Sequence, residues 1–229
     1  AVDRYARGIA AGEDKSRLDI LVECAGFYSD RLAVSADGFE MQFAVNHLAH
    51  YLLATRLVPL LMESPDARVI VVSSDSHRFG RMDWASLKRM LKGSKRILPY
   101  VGILAYGRSK LANALFAAEL GRRAAGTSIT VFAADPGLAN TRMGLKQGPG
   151  VGAAFWDWRR RKGSEPELPA ADIAWLASEP SLAGKTGLYW KERKPLRPSR
   201  AASSEASAAR LWSFSEECVA AALGRDAAR

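Results

Sequence analysis

The sequence is poor in the residues that build metal centres and disulfide frameworks. Its 229 residues include 2 cysteines, Cys24 and Cys218, and 3 histidines. Two cysteines cannot make a disulfide framework, and neither the cysteines nor the histidines have the spacing of a zinc site. We therefore expect no metal, and a reduced, cytoplasmic protein is the simplest interpretation.

Long apolar runs are also missing. No stretch reaches the roughly 18 apolar residues that a membrane-spanning helix needs, and the charged opening AVDRYARGIAAGEDK has no hydrophobic signal-peptide core. Hydrophobic residues nevertheless make up 48% of the chain, enough to build a core, which excludes wholesale disorder. The length fits a single domain over 1–229, and no second boundary is evident.

Positive charge is in excess, but no motif accompanies it. The chain has 33 Lys and Arg against 24 Asp and Glu, a formal net charge of +9, which attracts polyanions. The basic residues are spread along the chain, and the densest cluster is the short run Trp158-Arg159-Arg160-Arg161-Lys162. Without a recognition motif we expect no nucleic-acid partner, and only the charge supports a basic binding module.

Strand and helix patterns alternate along the chain. Short apolar or β-branched runs predict strands at 18–22, 68–72, 129–132 and 187–190. Apolar spacing predicts helices at 1–14, 39–62, 105–123, 169–178 and 205–223. The mixed basic and aromatic stretch 76–100 is interpreted as irregular. This alternation indicates an α/β fold, a doubly wound parallel sheet with helices on both faces.

Candidate functional residues follow three of the predicted strands. Binding groups of a doubly wound sheet collect at the carboxyl ends of its strands. Here those ends carry Ala25-Gly26, Ser73-Ser74 and Asp135-Pro136-Gly137. We predict that the three segments line one rim of the sheet.

A tyrosine and a lysine stand one helical turn apart in Tyr106-Gly107-Arg108-Ser109-Lys110. Residues i and i+4 share a helix face, so the ammonium lies beside the phenol. The pKa of a free tyrosine is about 10, and a nearby cation lowers that pKa by favouring the phenolate. Tyr106 would then exchange a proton with a carbonyl or carbinol oxygen. The spacing alone is weak evidence, and an incidental pair at a helix start is the alternative.

The order of these features resembles the short-chain dehydrogenase/reductase family, and within it the group of the retinol dehydrogenases and the WW-domain-containing oxidoreductase. The segment LDILVECAG at 18–26 is similar to the family's strand that ends in Asn-Asn-Ala-Gly. Further segments that resemble the family's motifs are FAVNHLAH at 43–50, RVIVVSSDSHR at 68–78, LAYGRSKLANALF at 104–116, DPGLANT at 135–141 and RLWSFSE at 210–216.

The resemblance implies a catalytic tetrad. Tyr106 would be the general acid/base, and Lys110 would lower its pKa and hold the nicotinamide ribose. Ser74 would hydrogen-bond the substrate oxygen, although Ser73 competes with it. Asn46 would hold a water that relays the proton from Lys110 to solvent. The implied cofactor-binding residues are Ala25, Gly26, Asn46, Tyr106, Lys110, Pro136, Gly137 and Thr141, the last of which would hold the nicotinamide carboxamide.

The implied reaction is hydride transfer between NADP(H) and an alcohol or carbonyl, with lipophilic substrates common in the resembled group. NAD is the alternative to NADP, because no residue of this sequence matches those that read the ribose 2′ position. Residues 142–166 would form a lid over the substrate. The resemblance also allows a homodimer through the helices 39–62 and 105–123.

The largest departure from the family is at the N-terminal end. The family begins with a βαβαβ unit whose glycine-rich loop, Thr-Gly-x-x-x-Gly-x-Gly, binds pyrophosphate, and nothing here matches it. The literal G-x-G-x-x-A match at 148–153 follows no predicted strand and is interpreted as lid loop. The strand 18–22 would then be an unpaired edge, so we expect a chain that is poorly stable or prone to associate.

The same departure leaves a second function open, a fragment or truncated family member that is not catalytic and binds no dinucleotide. Within the matching segments, Glu23-Cys24 replaces the family's Asn-Asn. We expect Glu23 to lie near the adenosine ribose of the cofactor and Cys24 to be a small buried residue.

Overall fold

A computed structural model describes residues 1–12, 17–91, 100–140, 158 and 161–227. The strands are β1 (Ile20–Glu23), β2 (Ala67–Val72), β3 (Ile129–Asp135), β4 (Leu188–Lys191) and β5 (Lys194–Pro195). The helices are α1 (Val2–Ala10), α2 (Met41–Phe43 and Ala49–Met62, joined by a π-helical turn at Ala44–Leu48), α3 (Trp84–Leu91), α4 (Gly102–Arg123), α5 (Glu167–Ser178) and α6 (Glu205–Ala227). Short 3₁₀ turns occupy Asp75–Phe79 and Pro180–Leu182.

The strands form one sheet in the order β1-β2-β3-β4-β5. Strands β1 to β4 are parallel to their neighbours, and β5 is antiparallel to β4. The two-residue turn between β4 and β5 has positive φ at both Glu192 and Arg193, as a tight hairpin turn requires. The α/β architecture predicted from the alternating pattern is confirmed, whereas no pattern in the sequence had indicated β5.

Helices cover the sheet on both faces. Side chains of a strand point alternately to the two sides, so Val69 and Val131 face α2, α4 and α6, where most of the buried apolar residues lie. The neighbouring Ile70 and Phe132 face the other way and pack against Leu176 of α5 in a smaller cluster. This arrangement is the doubly wound form that the sequence predicted.

Strand β1 lies at an edge of the sheet. Within the described residues it pairs with β2 alone. Its outward side chains are partly exposed, with Ile20 at 44% and Val22 at 41%. The predicted edge position is confirmed, whereas the association that it favours stays a prediction.

The C-terminal helix α6 packs across α2 and α4. The ring of Trp212 lies 5.0 Å from Tyr51 of α2 and 6.0 Å from Phe116 of α4, measured between centroids. The two helices offered for a homodimer are therefore covered along this contact by the chain's own helix, and the dimer stays a prediction. In the described ranges, no helix is both long and apolar enough to cross a membrane.

The stretch 76–100 is more regular than we predicted. It contains the end of the 3₁₀ turn and all of α3, whose first turn is held by the Asp83 carboxylate accepting from Ser86 N at 3.1 Å. Leu87 anchors α3 in the main core and Trp84 packs against it, but the stretch mixes these residues with basic ones, so its pattern did not predict a helix. Residues 13–16 and 92–99, the lid apart from 158 and 161–166, the match at 148–153, and Thr141 lie outside the described residues.

Candidate active site

The two serines after β2 have different surroundings. Ser73 is buried, and its hydroxyl donates to the carbonyl oxygen of Lys110 at 2.9 Å. Ser74 is half-buried and begins the 3₁₀ turn by accepting from Ser76 N at 3.2 Å. Ser73 thus holds α4 against the sheet, which leaves Ser74 as the serine at the rim.

A contact between two glycines brings α4 against the segment after Ser74. A Cβ on Gly107 would lie 2.8 Å from the carbonyl oxygen of Ser76, and a Cβ on Gly80 would overlap the carbonyl of Gly107. Because Gly107 follows Tyr106 directly, this close approach fixes the start of α4 next to the serine turn. Neither glycine was predicted from the sequence to make this contact. For Gly107 a signal existed, because a glycine inside a strong helix pattern indicates close packing.

Tyr106 and Lys110 lie on one face of α4, as their spacing predicts. Both are buried, and the Lys110 ammonium is 5.8 Å from the centroid of the Tyr106 ring. Lys110 Nζ donates to the carbonyl oxygen of Val72, the last residue of β2, at 3.0 Å. Burial lowers the pKa of Lys110 to about 8, and interactions with Cys24 and Asp135 act in the opposite direction.

Asn46 is fully buried in the π-helical turn of α2. Its Oδ1 accepts from Phe27 N at 2.7 Å, and its Nδ2 donates to the carbonyl oxygen of Phe27 and to Ser109 Oγ, both at 2.9 Å. Ser109 in turn donates to the Tyr106 carbonyl at 2.8 Å. Asn46 therefore joins the loop after β1 to the helix of the tyrosine, and π-helical turns often mark functional sites.

The predicted cofactor-binding segments meet at the same rim. Ala25 and Gly26 are exposed after the end of β1, and Pro136 and Gly137 are half-buried after the end of β3. Gly137 has a φ of +69°, and Asp135 Oδ1 accepts from its N–H at 2.9 Å. Because β1, β2 and β3 are adjacent and parallel, the structure brings these segments to one edge of the sheet, beside Ser74.

Glu23 and Cys24, which replace the family's Asn-Asn, do not lie where we expected: Glu23 is buried and Cys24 is exposed. Glu23 is 2% exposed, and both of its carboxylate oxygens lack a hydrogen-bond partner among the described residues. Burial raises the pKa of this carboxyl well above its usual value. Cys24 is exposed. Both expectations are wrong because Glu23 shares the inward face of β1 with Leu21, whereas Cys24 follows the strand and points outward.

His77 is a further residue of the site that the sequence analysis left without a role. Its Nε2 accepts from Ser199 N at 3.0 Å, so the ring proton is on Nδ1. Nδ1 lies 2.7 Å from the carbonyl oxygen of Ser74 and donates to it. His77 thus links the backbone of Ser74 to Ser199, in the segment before α6.

No family model matches this chain. Retinol dehydrogenase 14 from Homo sapiens is 35% identical over 213 residues, which cover 90% of this chain and 60% of that protein. The WW domain-containing oxidoreductase from Homo sapiens is 35% identical over 214 residues, covering 90% of this chain and 50% of that protein.

Solved structures resemble the fold. An uncharacterized protein from Mycobacterium Paratuberculosis has a TM-score of 0.66 and 32% identity, covering 95% of this chain and 70% of that one. The NADPH-bound carbonyl reductase from chicken fatty liver has a TM-score of 0.59 and 16% identity, covering 86% and 72% of the two chains, so it shows the fold alone.

The fold and the solved structures that resemble it define one class of protein, the α/β proteins with a Rossmann-like parallel sheet. The chain belongs to the short-chain dehydrogenase/reductase family and is similar to its retinol dehydrogenases and WW-domain oxidoreductases. It spans about 60% of the length of the first retinol dehydrogenases that it matches.

Proposed function

We propose that this chain carries the catalytic residues of an oxidoreductase that transfers hydride between NADP(H) and the alcohol or carbonyl group of a lipophilic small molecule. The observation that carries the proposal is the meeting of Ser74, Tyr106 and Lys110 at one rim of the sheet. Tyr106 and Lys110 share a buried helix face, and the glycine contact holds that helix against the turn that Ser74 begins.

Each of these side chains has a distinct task. The Ser74 hydroxyl binds the substrate oxygen, and Tyr106 takes the proton from an alcohol, or gives one to a carbonyl, at that same oxygen. The Lys110 ammonium favours the phenolate form of Tyr106 by its positive charge. Asn46 uses both of its N–H groups within the protein, so a relay water would bind to the remaining lone pair of its Oδ1.

The residues at the rim fit a dinucleotide. Ala25 and Gly26 present no bulky side chain at the end of β1, and the open turn at Gly137 would hold the nicotinamide end. Lys110 has three donors, of which the Val72 carbonyl takes one, so the ammonium would also hold ribose hydroxyls. The nicotinamide, when bound, donates or accepts the hydride. We propose NADP over NAD because the chain is similar to the retinol dehydrogenases, the group whose resemblance implies NADP(H).

The names of the relatives support the substrate class. The first matches are retinol dehydrogenases, and retinol is a long apolar alcohol. We propose a lipophilic alcohol, or the aldehyde or ketone derived from it, as the substrate of this protein.

Fluorescence titration with NADPH and NADH tests the cofactor part of the proposal. We expect saturable binding of NADPH that Lys110→Ala weakens, whereas Lys185→Ala, at an exposed lysine, leaves it unchanged. Equal binding by both variants would overturn the role of Lys110.

Turnover of retinol and long-chain aldehydes tests the catalytic part. Tyr106→Phe should lower the rate by about 10²–10⁴-fold because it removes the proton-transfer group. Tyr51→Phe is the matched control, since Tyr51 is also a buried tyrosine but packs under α6. A Tyr106→Phe variant with full activity would contradict the assignment.

The second candidate function is a non-catalytic family member that binds no dinucleotide. It is supported by one observation, that the chain spans about 60% of the length of the retinol dehydrogenases. Absence of saturable NADPH and NADH binding in the same titration would favour this candidate.

A further inference from the structure

Asp135 places a buried carboxylate on the side of the sheet where α4 lies. Along β3, Val131 and Ala133 belong to the core beneath α4, and alternation gives Asp135 the same direction. The side chain is 1% exposed. An unpaired buried charge is costly, so a positive group nearby stabilises a carboxylate in that position.

The two oxygens of Asp135 have different surroundings. Oδ1 accepts from the N–H of Gly137 at 2.9 Å and so holds the turn at Pro136-Gly137. Oδ2 is buried without a hydrogen-bond partner in the described part of the chain, and it forms an ion pair with Lys191 Nζ of β4 at 3.7 Å. One oxygen thus maintains the turn, while the other forms an ion pair with the partly exposed Lys191.

Lys110 is the cation on that interior side. Its Nζ is bound to the carbonyl oxygen of Val72 at 3.0 Å. Val72 is paired across the sheet with Ala134, the residue before Asp135. The Lys110 ammonium therefore lies at the end of β2 and the Asp135 carboxylate at the end of β3, on the same side of the sheet. The two groups interact electrostatically.

We propose that Asp135 is a positioning residue for the active site, whose charge keeps Lys110 in its ammonium form while its other oxygen holds the turn at Gly137. The proposal rests on the proposed function, because it assigns Asp135 a part in keeping the positive charge beside Tyr106. Asp135 itself touches neither the substrate oxygen nor the Tyr106 phenol in this scheme.

The other charged or titratable groups around Lys110 do not replace Asp135. Tyr106 lies on the same helix, His50 of α2 has its pKa lowered by burial and by the nearby Lys110 charge, and Cys24 lies after β1. Cys24 acts on Lys110 more strongly than Asp135 does, but it is exposed, whereas the Asp135 side chain is 1% exposed. Solvent screens an exposed group more than a buried one, so Asp135 is the buried counter-charge of the lysine.

The groups that face Asp135 are also few. Lys191 and Tyr189 come from β4, and Asp75 and His77 come from the 3₁₀ turn. Asp135 raises the pKa of Tyr189 and acts to raise the pKa of His77, although burial lowers the latter overall. Lys191 is 29% exposed, so solvent screens its charge more than that of buried Lys110.

The test is a pH titration of the 229-residue chain labelled with ¹³Cε-lysine and followed by NMR. Lys110→Met identifies the Lys110 signal by deleting it. Asp135→Asn keeps a carbonyl oxygen for the Gly137 N–H and removes only the charge. We expect the titration midpoint of Lys110 to fall by about 1 pH unit in Asp135→Asn, as for the loss of a nearby opposite charge. An unchanged midpoint would overturn the proposal.

Two further variants separate the rival explanations. Cys24→Ser should move the Lys110 midpoint less than Asp135→Asn does, and a larger shift would assign the role to the thiol instead. If Asp135→Asn does not fold, the double variant Asp135→Asn/Lys110→Met should fold, because it no longer buries an unpaired ammonium. A double variant that also fails would make Asp135 structural only and overturn the proposal.

The titration needs neither cofactor nor substrate, so its result is independent of turnover. A lowered midpoint in a chain that binds no dinucleotide would support the Asp135–Lys110 pairing and count against the proposed function alone. A chain that turns over substrate but has an unchanged Lys110 midpoint in Asp135→Asn would support the proposed function and overturn the Asp135–Lys110 pairing.

Discussion

His47 Nε2 lies 2.8 Å from the hydroxyl oxygen of Ser215, and this bond joins the π-helical turn of α2 to α6. The Ser215 hydroxyl also lies 2.8 Å from the Leu211 carbonyl and donates to it. Its oxygen therefore accepts from the Nε2–H of His47. His47 is the neighbour of Asn46, so the C-terminal helix helps to hold the turn that carries a predicted catalytic residue.

Removal of the Ser215 hydroxyl tests this connection. Ser215→Ala should lower the free energy of unfolding by about 1–3 kcal/mol, because it leaves the buried Nε2–H of His47 unsatisfied. Urea unfolding measures the loss. Ser213→Ala is the matched control, since the exposed Ser213 makes the same kind of bond to Ala209, at 3.4 Å, without a histidine. Equal losses in the two variants would contradict the role of the His47 bond.

The buried histidines predict loss of stability in acid. Burial lowers the pKa of His47 and His50 to about 3, whereas an unfolded histidine titrates at about 6.5. Below about pH 6.5 the unfolded chain takes up protons that the folded chain does not, so stability that is present above that pH falls as the pH falls. Urea unfolding over this range should show it.

One substitution isolates the histidine contribution. His50→Gln should reduce the dependence of unfolding free energy on pH by up to about 1.4 kcal/mol per pH unit, the value for one proton. Measurements above about pH 7 supply the baseline for the substitution itself, since the histidine is neutral there in both states. The same pH dependence in His50→Gln and the unmodified chain would refute the prediction.

Glu23 predicts an effect of the opposite sign. Its folded-state pKa is raised well above the usual 4.5, so its contribution is favourable at low pH and is lost as the pH rises above that value. Glu23→Gln keeps the shape and removes the charge. At about pH 8 we expect Glu23→Gln to raise the free energy of unfolding by about 1.4 kcal/mol for each pH unit between the unfolded and folded pKa values. At about pH 4 we expect the substitution to change the free energy of unfolding little.

The comparison residue for Glu23 is an exposed glutamate. Glu217→Gln on α6 should leave the free energy of unfolding within about 0.5 kcal/mol at both pH values. A Glu23→Gln variant that is less stable than the unmodified chain at high pH would show that the carboxylate has a positive partner and sink the prediction.

The edge of β1 predicts self-association of the chain. Val22 is 41% exposed beside unpaired backbone groups, and a charged residue at an edge opposes strand pairing. Val22→Lys should weaken self-association by about tenfold, equal to 1.4 kcal/mol, as measured by analytical ultracentrifugation. Leu168→Lys on α5, at a position 64% exposed, should leave association unchanged. A chain that is monomeric and unfolds cooperatively without any substitution would contradict the expectation.

Local patterns in the sequence were sufficient for the layers of the fold and for the helix face that Tyr106 and Lys110 share. The run Arg68-Val69-Ile70-Val71-Val72 predicted a buried strand because it is apolar and β-branched, and the strand is Ala67–Val72. The i, i+4 spacing of Tyr106 and Lys110 predicted a shared helix face, which the structure has. Helix α3 was missed because its segment mixes basic and aromatic residues and was interpreted as irregular.

The sequence by itself determined the α/β alternation, the family, and the set of residues at the strand ends, since each depends on neighbours close in the chain. Tertiary structure alone decided which side of β1 is inward, and hence that Glu23 is buried and Cys24 exposed. It also decided that Asp135 faces the same interior as Lys110 and that Ser215 meets His47 across 168 positions of sequence. Those contacts join segments that are distant in the sequence, and a local pattern does not determine which segments pack together.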